Sequence, residues 1–198
     1  MITIALLIVA SYLMGSIPSG VIVGRILGFD PRAVGSGNIG MTNVARAGGG
    51  GAAALTFLGD ALKGLIPVMV ARAAGLDATA VAVVGWAAFV GSICSVFLRF
   101  RGGKGVACAL GIWLGLSPIA VGIALVVFAI VFALWRIMSL SSLSAAIALP
   151  PAVAALSSPQ PYLALAIMIT ALVLLRHQEN IGRLIRGEEP AFKPAWRG

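Results

Sequence analysis

The chain has 198 residues, of which 60% are hydrophobic and 10% charged, and its mean hydropathy is +1.07. That composition excludes a soluble domain of this length and makes the hydrocarbon core of a bilayer the solvent. The formal net charge of +8 does not imply a nucleic-acid partner, because the cations sit in short gaps between apolar runs without the aromatic and basic interleaving of an RNA-binding surface.

An all-α polytopic membrane bundle in one domain covering 1–198 is therefore expected, with about seven spans of about 20 residues each. The first span is placed at 2–24; the apolar start, Met1 to Met14, lacks a basic leader and reads as a spanning helix rather than a cleaved signal. A polar, glycine-rich segment follows, Gly35-Ser36-Gly37-Asn38-Ile39-Gly40-Met41-Thr42-Asn43, with Arg46 close behind. Its glycines allow successive backbone NH groups to turn inward on an anion, while Ser36, Asn38, Thr42 and Asn43 add hydroxyl and amide groups. Gly48 to Gly51 has no polar partner and reads as a hinge or helix start.

Span two, at 52–74, carries Asp60 and Lys63, whose spacing puts them on one helix face as a mutual pair. Span three, at 78–98, leads into Arg99, Arg101 and Gly102-Gly103-Lys104-Gly105. That stretch is like a phosphate loop but lacks the spaced first glycine and the Ser/Thr after Lys of a Walker A motif. Span four, at 104–117, is short, bounded by Gly105 and by Ser117-Pro118, and reads as tilted, half-buried or led by a re-entrant segment. Cys94 and Cys108 match neither a CxxC nor a zinc spacing, so they read as packing residues, and no metal or cofactor is expected.

Span five is placed at 118–135, and span six at 140–157 begins with Ser139, Ser141 and Ser142 just after Arg136. Hydroxyls there either cap the helix or hold a substrate phosphate or hydroxyl. The turn Ser157-Ser158-Pro159-Gln160-Pro161 precedes span seven, at 160–176. As that span leaves the membrane it runs into Arg176-His177-Gln178-Glu179-Asn180. His177 and Asn180, three residues apart, share one face of a helical end.

Charge orients this bundle. Arg25, Arg32, Arg46, Arg99, Arg101, Lys104, Arg136, Arg176, Arg183, Arg186, Lys193 and Arg197 fall in alternate gaps and the tail, which is twelve of the fourteen Lys and Arg. By the positive-inside rule the C-terminus and all three polar segments face the cytoplasm and the N-terminus lies outside. Backbone NH groups, Arg and Lys on one face suit a phosphate-bearing substrate better than a neutral one.

Taken with Gly15-Ser16-Ile17-Pro18-Ser19-Gly20, Asp60-Ala61-Leu62-Lys63-Gly64, Phe97-Leu98-Arg99-Phe100-Arg101-Gly102-Gly103-Lys104-Gly105-Val106-Ala107 and Arg176-His177-Gln178-Glu179-Asn180-Ile181-Gly182-Arg183-Leu184, the order of these segments resembles the PlsY-type bacterial acyl-phosphate:glycerol-3-phosphate acyltransferases. The resemblance implies acyl transfer from acyl phosphate to the first hydroxyl of glycerol 3-phosphate, giving lysophosphatidic acid and phosphate at the start of phospholipid synthesis, in the bacterial inner membrane with the site facing the cytoplasm. It also implies His177, Asn180, Lys104 and Ser142 as catalytic residues, with Ser36, Gly37, Asn38, Thr42, Asn43, Arg46, Gly102, Gly103, Lys104, Ser139 and Ser142 binding phosphate. The H-x-x-x-x-D box of acyl-CoA-type acyltransferases is missing, since the residue five after His177 is Gly182.

One departure stands out. Where the family usually has His after a glycine, this chain reads Gly91-Ser92-Ile93-Cys94-Ser95, and a hydroxyl cannot serve as an imidazole base. A small transporter or flippase for an anionic metabolite is the alternative reading, and a non-catalytic lipid-binding scaffold a third. Polar segments confined to one side, without an inverted repeat, disfavour the transporter.

Overall fold

The computed structural model describes residues 2–156 and 158–192, and among these it is entirely helical, without a strand. In chain order the helices are α1 (Ile2–Ser16), α2 (Ser19–Leu27), α3 (Met41–Ala73), α4 (Ala78–Ile93), α5 (Val106–Leu116), α6 (Pro118–Trp135), α7 (Met138–Ala155), α8 (Gln160–Arg176) and α9 (Gln178–Ile185). Ser157 and the tail cations Lys193 and Arg197 lie outside the described residues.

Close helix approach through small residues holds the bundle together. In lipid there is no hydrophobic drive between helices, so packing rests on backbones coming near enough for van der Waals contact. A Cβ on Gly15 of α1 would lie 2.0 Å from the Ala88 carbonyl oxygen of α4, and one on Gly111 of α5 would lie 1.9 Å from the Ala61 carbonyl oxygen of α3. Those two seams, α1 on α4 and α3 on α5, are therefore glycine-dependent. Between them Val84, Phe89, Ile112, Trp113, Val153 and Leu165 form a core from which water and lipid are excluded. By contrast α6 leaves Ile119, Ile123, Val126, Ile130 and Leu134 exposed, a face suited to acyl chains.

Among the described residues four helices are long and apolar enough to cross a membrane, and two bent pairs raise the number to six if each pair is one span. The expected seven differ mainly at their ends. The first span breaks at Ile17-Pro18, where α1 and α2 meet at 41°, and the last bends by 64° at His177 into α9. The second begins earlier than expected, because α3 continues from Met41 through the glycine run with a non-helical kink at Gly49 (φ 77°, ψ −173°). Span three runs Ala78–Leu98 as expected, α4 ending at Ile93 and a 3-10 turn at Val96–Leu98 completing it, whereas α5 has 11 residues, too few to span.

The charged groups of α3 inside the bundle are paired, whereas Ser16 Oγ, Thr56 Oγ1 and Trp113 Nε1 are buried without a partner among the described residues. Lys63 Nζ lies 2.8 Å from Asp60 Oδ1 and donates to the Ile17 carbonyl at 3.2 Å, which at the break after α1 also accepts from the Ser19 amide at 3.1 Å. At the opposite end of α3, Arg72 donates to the Gly115 carbonyl and ties down the last turn of α5.

Candidate functional site

The first polar segment is organised by a neutral side chain. Asn43, 2% exposed in the first turn of α3, shares its Nδ2 hydrogens among the carbonyls of Pro31 (2.7 Å), Val34 (3.0 Å) and Asn38 (2.9 Å), while its Oδ1 accepts from the Ser36 amide at 3.0 Å. Gly35 makes this closure possible, with φ at +58° and its missing Cβ 2.4 Å from Asn43 Oδ1. Asn38 accepts from the Gly40 amide at 2.9 Å and shapes the next turn. Ser36, Asn38, Thr42 and Arg46 are thereby held on the wall of a cavity.

The second segment is built by its neighbours. The Gly102 amide donates to the Ile93 carbonyl and the Gly103 amide to the Ser92 carbonyl, both at 3.1 Å. Their own carbonyls accept from Arg176, at 2.9 and 3.2 Å respectively. Arg99 and Phe100 ahead of the loop take φ of +53° and +62°, and Gly105 takes +78° just before α5. The chain thus turns sharply twice to place Lys104, whose ammonium donates to Asn180 Oδ1.

The third segment meets the second. His177 is 3% exposed at the bend, with Nδ1 2.8 Å from the Val173 carbonyl. A carbonyl only accepts, so Nδ1 carries the proton and Nε2 keeps the lone pair. Asn180, 7% exposed, donates through Nδ2 to Glu189 Oε1 at 2.6 Å. Glu189 also accepts from Ser139 Oγ at 2.7 Å and Arg183 Nε at 2.6 Å.

A cavity of about 710 Å³ connects these groups. One end is lined by Ser36, Asn38, Thr42, Asn43, Arg46, Gly103, Lys104, Ser139, Ser142, His177 and Asn180; the other by apolar side chains including Phe57, Leu110, Trp113, Leu125, Phe128 and Leu149. Eleven of the thirteen residues expected from sequence are brought together, and Gly37 and Gly102 are not on the wall. Two expectations need correction. The amides of Gly37, Gly102 and Gly103 are not available to phosphate, because they already bond to the carbonyls of Val34, Ile93 and Ser92. Asn43 is buried as the organiser of its loop, with no spare donor. Ser92, 5% exposed, turns its hydroxyl back onto the Phe89 carbonyl at 2.7 Å. Glu189 and Arg183 were not expected there; the nearest signal is Pro190, which biases the residue before it to an extended conformation that can double back.

Electrostatics favour an anion. The four ion pairs among the described residues include neither Arg46 nor Lys104. Burial lowers the Lys104 pKa below 10.5, an effect the nearby Glu189 charge opposes. Burial also lowers that of His177, which lies beyond the end of α8, to about 4 despite its bond to Val173. The imidazole is therefore neutral at physiological pH. For Glu189, burial raises the pKa, but hydrogen bonds from Ser139, Asn180 and Arg183 outweigh it and the carboxyl stays ionised.

Residues 5–187 match the family model for glycerol-3-phosphate acyltransferase. Relatives of that name include proteins of Geotalea daltonii, 48% identical over 94% of this chain and 96% of its own, and Geobacter sulfurreducens, 47% identical over 95% and 97%. Crystal structures of PlsY (YgiH), an integral membrane glycerol 3-phosphate acyltransferase, are similar throughout. The glycerol 3-phosphate form superposes with a TM-score of 0.93 at 39% identity, covering 96% of both chains, and the lysophosphatidic acid form with 0.91 at 38%.

Proposed function

The chain belongs to the glycerol-3-phosphate acyltransferase family, and on that premise we propose that it draws its acyl group from acyl phosphate at the cytoplasmic face of a bacterial inner membrane. It is a membrane enzyme that acylates glycerol 3-phosphate to lysophosphatidic acid. The observation that carries the donor reading is the cavity that joins a cationic, hydroxyl-rich end to an apolar one, since acyl phosphate is itself an anion on an alkyl chain.

In this reading Arg46 and Lys104 bind the two substrate phosphates, assisted by Ser36, Asn38, Thr42 and Ser142. The acyl chain lies along Leu110, Phe128 and Leu149. The neutral His177 orients the phosphate or the first hydroxyl of glycerol 3-phosphate, and the second Nδ2 hydrogen of Asn180 is directed at an oxygen of the acyl phosphate. That hydroxyl oxygen attacks the acyl carbonyl carbon, the bond from that carbon to the phosphate oxygen breaks, and the proton passes to a phosphate oxygen of the substrates. Lysophosphatidic acid and inorganic phosphate result, with no acyl-enzyme. Because a mixed anhydride already carries a good leaving group, alignment and charge stabilisation supply the catalysis rather than strong acid chemistry.

Purified protein in lipid, given acyl phosphate and glycerol 3-phosphate, is expected to release one phosphate per lysophosphatidic acid formed. Product from acyl-CoA but not from acyl phosphate would overturn the donor. Accumulation of an acylated Ser, Cys or His with acyl phosphate alone would overturn direct transfer. Passage of glycerol 3-phosphate across proteoliposomes without turnover would favour a transporter.

A further inference from the structure

At Gly187 (φ +70°), the last residue of the family match, the chain turns and runs back along the cavity wall. The return is fixed at both ends. The Glu188 amide donates to the Arg183 carbonyl at 2.8 Å, and the Phe192 amide to the Arg136 carbonyl at 2.7 Å, with the Phe192 ring 6.1 Å from that of Phe132. Between these anchors the Glu189 side chain is 7% exposed, while that of its neighbour Glu188 is 58% exposed and pairs with Arg186.

Burying a carboxylate beside a phosphate site is costly unless its charge has work to do. Here its two oxygens serve three donors: Oε1 accepts from Ser139 and Asn180, and Oε2 from Arg183. The consequence falls on Asn180. A carboxylate can only accept and an ammonium can only donate, so with Glu189 on one side and Lys104 on the other, the amide has a single permitted orientation. Its Oδ1 is held on Lys104, and Asn180 itself lines the cavity. Arg183 neutralises the carboxylate, which leaves the Lys104 charge for substrate.

We propose that Glu189 is a positioning residue for acyl transfer: its carboxylate fixes the Asn180 amide and, through it, the Lys104 ammonium. The inference rests on the acyl-phosphate reading above. It differs from a second role open to a carboxylate at this place, that of a stand-in for substrate phosphate which must leave before substrate binds.

The test compares wild type with Glu189→Ala, Glu189→Gln and Glu188→Gln in lipid, measuring kcat and the KM for glycerol 3-phosphate. Glu189→Ala is expected to lower kcat by about 10- to 100-fold, the usual loss when a partner that orients a reacting group is removed, with a smaller change in KM. Glu189→Gln, which keeps an acceptor for Asn180, is expected to fall between Ala and wild type, and Glu188→Gln to match wild type. The split between kcat and KM is a readout that a merely structural contact would not move, and Glu189→Gln, which keeps the side-chain shape, carries the test if Glu189→Ala does not fold. A lower KM with unchanged or raised kcat in Glu189→Ala would identify the displaceable stand-in and overturn the proposal. Equal losses in Glu188→Gln would overturn it as well. Normal kinetics in every Glu189 variant would reject positioning while leaving the acyl-phosphate reading intact, whereas a wild type inactive on acyl phosphate would remove both.

Discussion

The two glycine-rich segments are held by opposite means. Around Gly35 to Asn43, every bond that Asn43 makes is local, reaching back 12 residues at most, so the loop closes upon itself. Gly102 to Lys104 depends on remote partners: Arg176 is 73 and 74 residues away from the carbonyls it binds, and Asn180 is 76 from Lys104. A local loop forms its wall as soon as its helix forms, whereas a remote one exists only after α4, α8 and α9 have docked. Glycine also has different tasks in the two. At Gly35 it supplies a positive φ; at Gly102 it makes room, since a Cβ there would lie 2.4 Å from the Ser92 carbonyl oxygen.

The largest expected effect breaks the remote loop outright. Gly102→Ala forces backbone apart and is expected to remove folded protein, seen as lost monodisperse yield on gel filtration. Recovery of well-folded but inactive protein would instead return that residue to direct phosphate binding. Next is Lys104→Ala, expected to cut kcat/KM on the order of a hundredfold through loss of a charge-assisted bond while the fold persists. Arg46→Ala, on the local loop, is expected to match it.

Lys104 also sharpens the contrast through pH. Its cationic form binds phosphate, and its pKa lies below 10.5, so activity is expected to fall as pH rises through that lowered value. Lys104→Arg, which stays charged, is expected to move this alkaline limb upward in a kcat/KM profile. An unmoved limb would mean that another group titrates.

A smaller loss tests the local loop. Asn43→Ala leaves the Ser36 amide and three carbonyls short of partners, at about 1–3 kcal/mol for each group that stays buried and unsatisfied. A lower thermal midpoint together with a loss of roughly tenfold in kcat/KM is expected, because Ser36 and Arg46 drift with the loop. The mildest is Gly103→Ala. Its nearest contact would be 3.7 Å from Ile39, so near-wild-type turnover is expected even though its glycine neighbour tolerates nothing.

That contrast also marks what sequence could reveal. Apolar runs with cations in alternate gaps foretold the helical bundle and the gathering of polar segments at one place, because both follow from the cost of burying charge in hydrocarbon. The polar residues of Gly35 to Asn43 were legible as a wall for the same reason that they fold locally. The task of Gly102 and Gly103 was not. A glycine reports that something comes close, and here the neighbour is protein backbone rather than phosphate. Glu189 was hidden more deeply, since adjacent glutamates in a short tail look alike until the turn at Gly187 buries one and exposes the other. The four successive glycines read as a hinge or helix start, and a kink at Gly49 is where the two parts of α3 meet.

The short α5 has a bearing on how two immiscible reactants meet. Eleven residues make a helix of about 16 Å, against a hydrocarbon core of about 30 Å. Its last turn is secured by Arg72 at the far end of α3, so Lys104, just before its first turn, stands about that length from the anchored end, half-buried on the wall of the cavity. Lifting an alkyl chain into water costs about 0.8 kcal/mol for each methylene. A cation held on the same wall as Phe128 and Leu149 spares the fatty reactant that climb, and the small, water-loving one makes the journey instead.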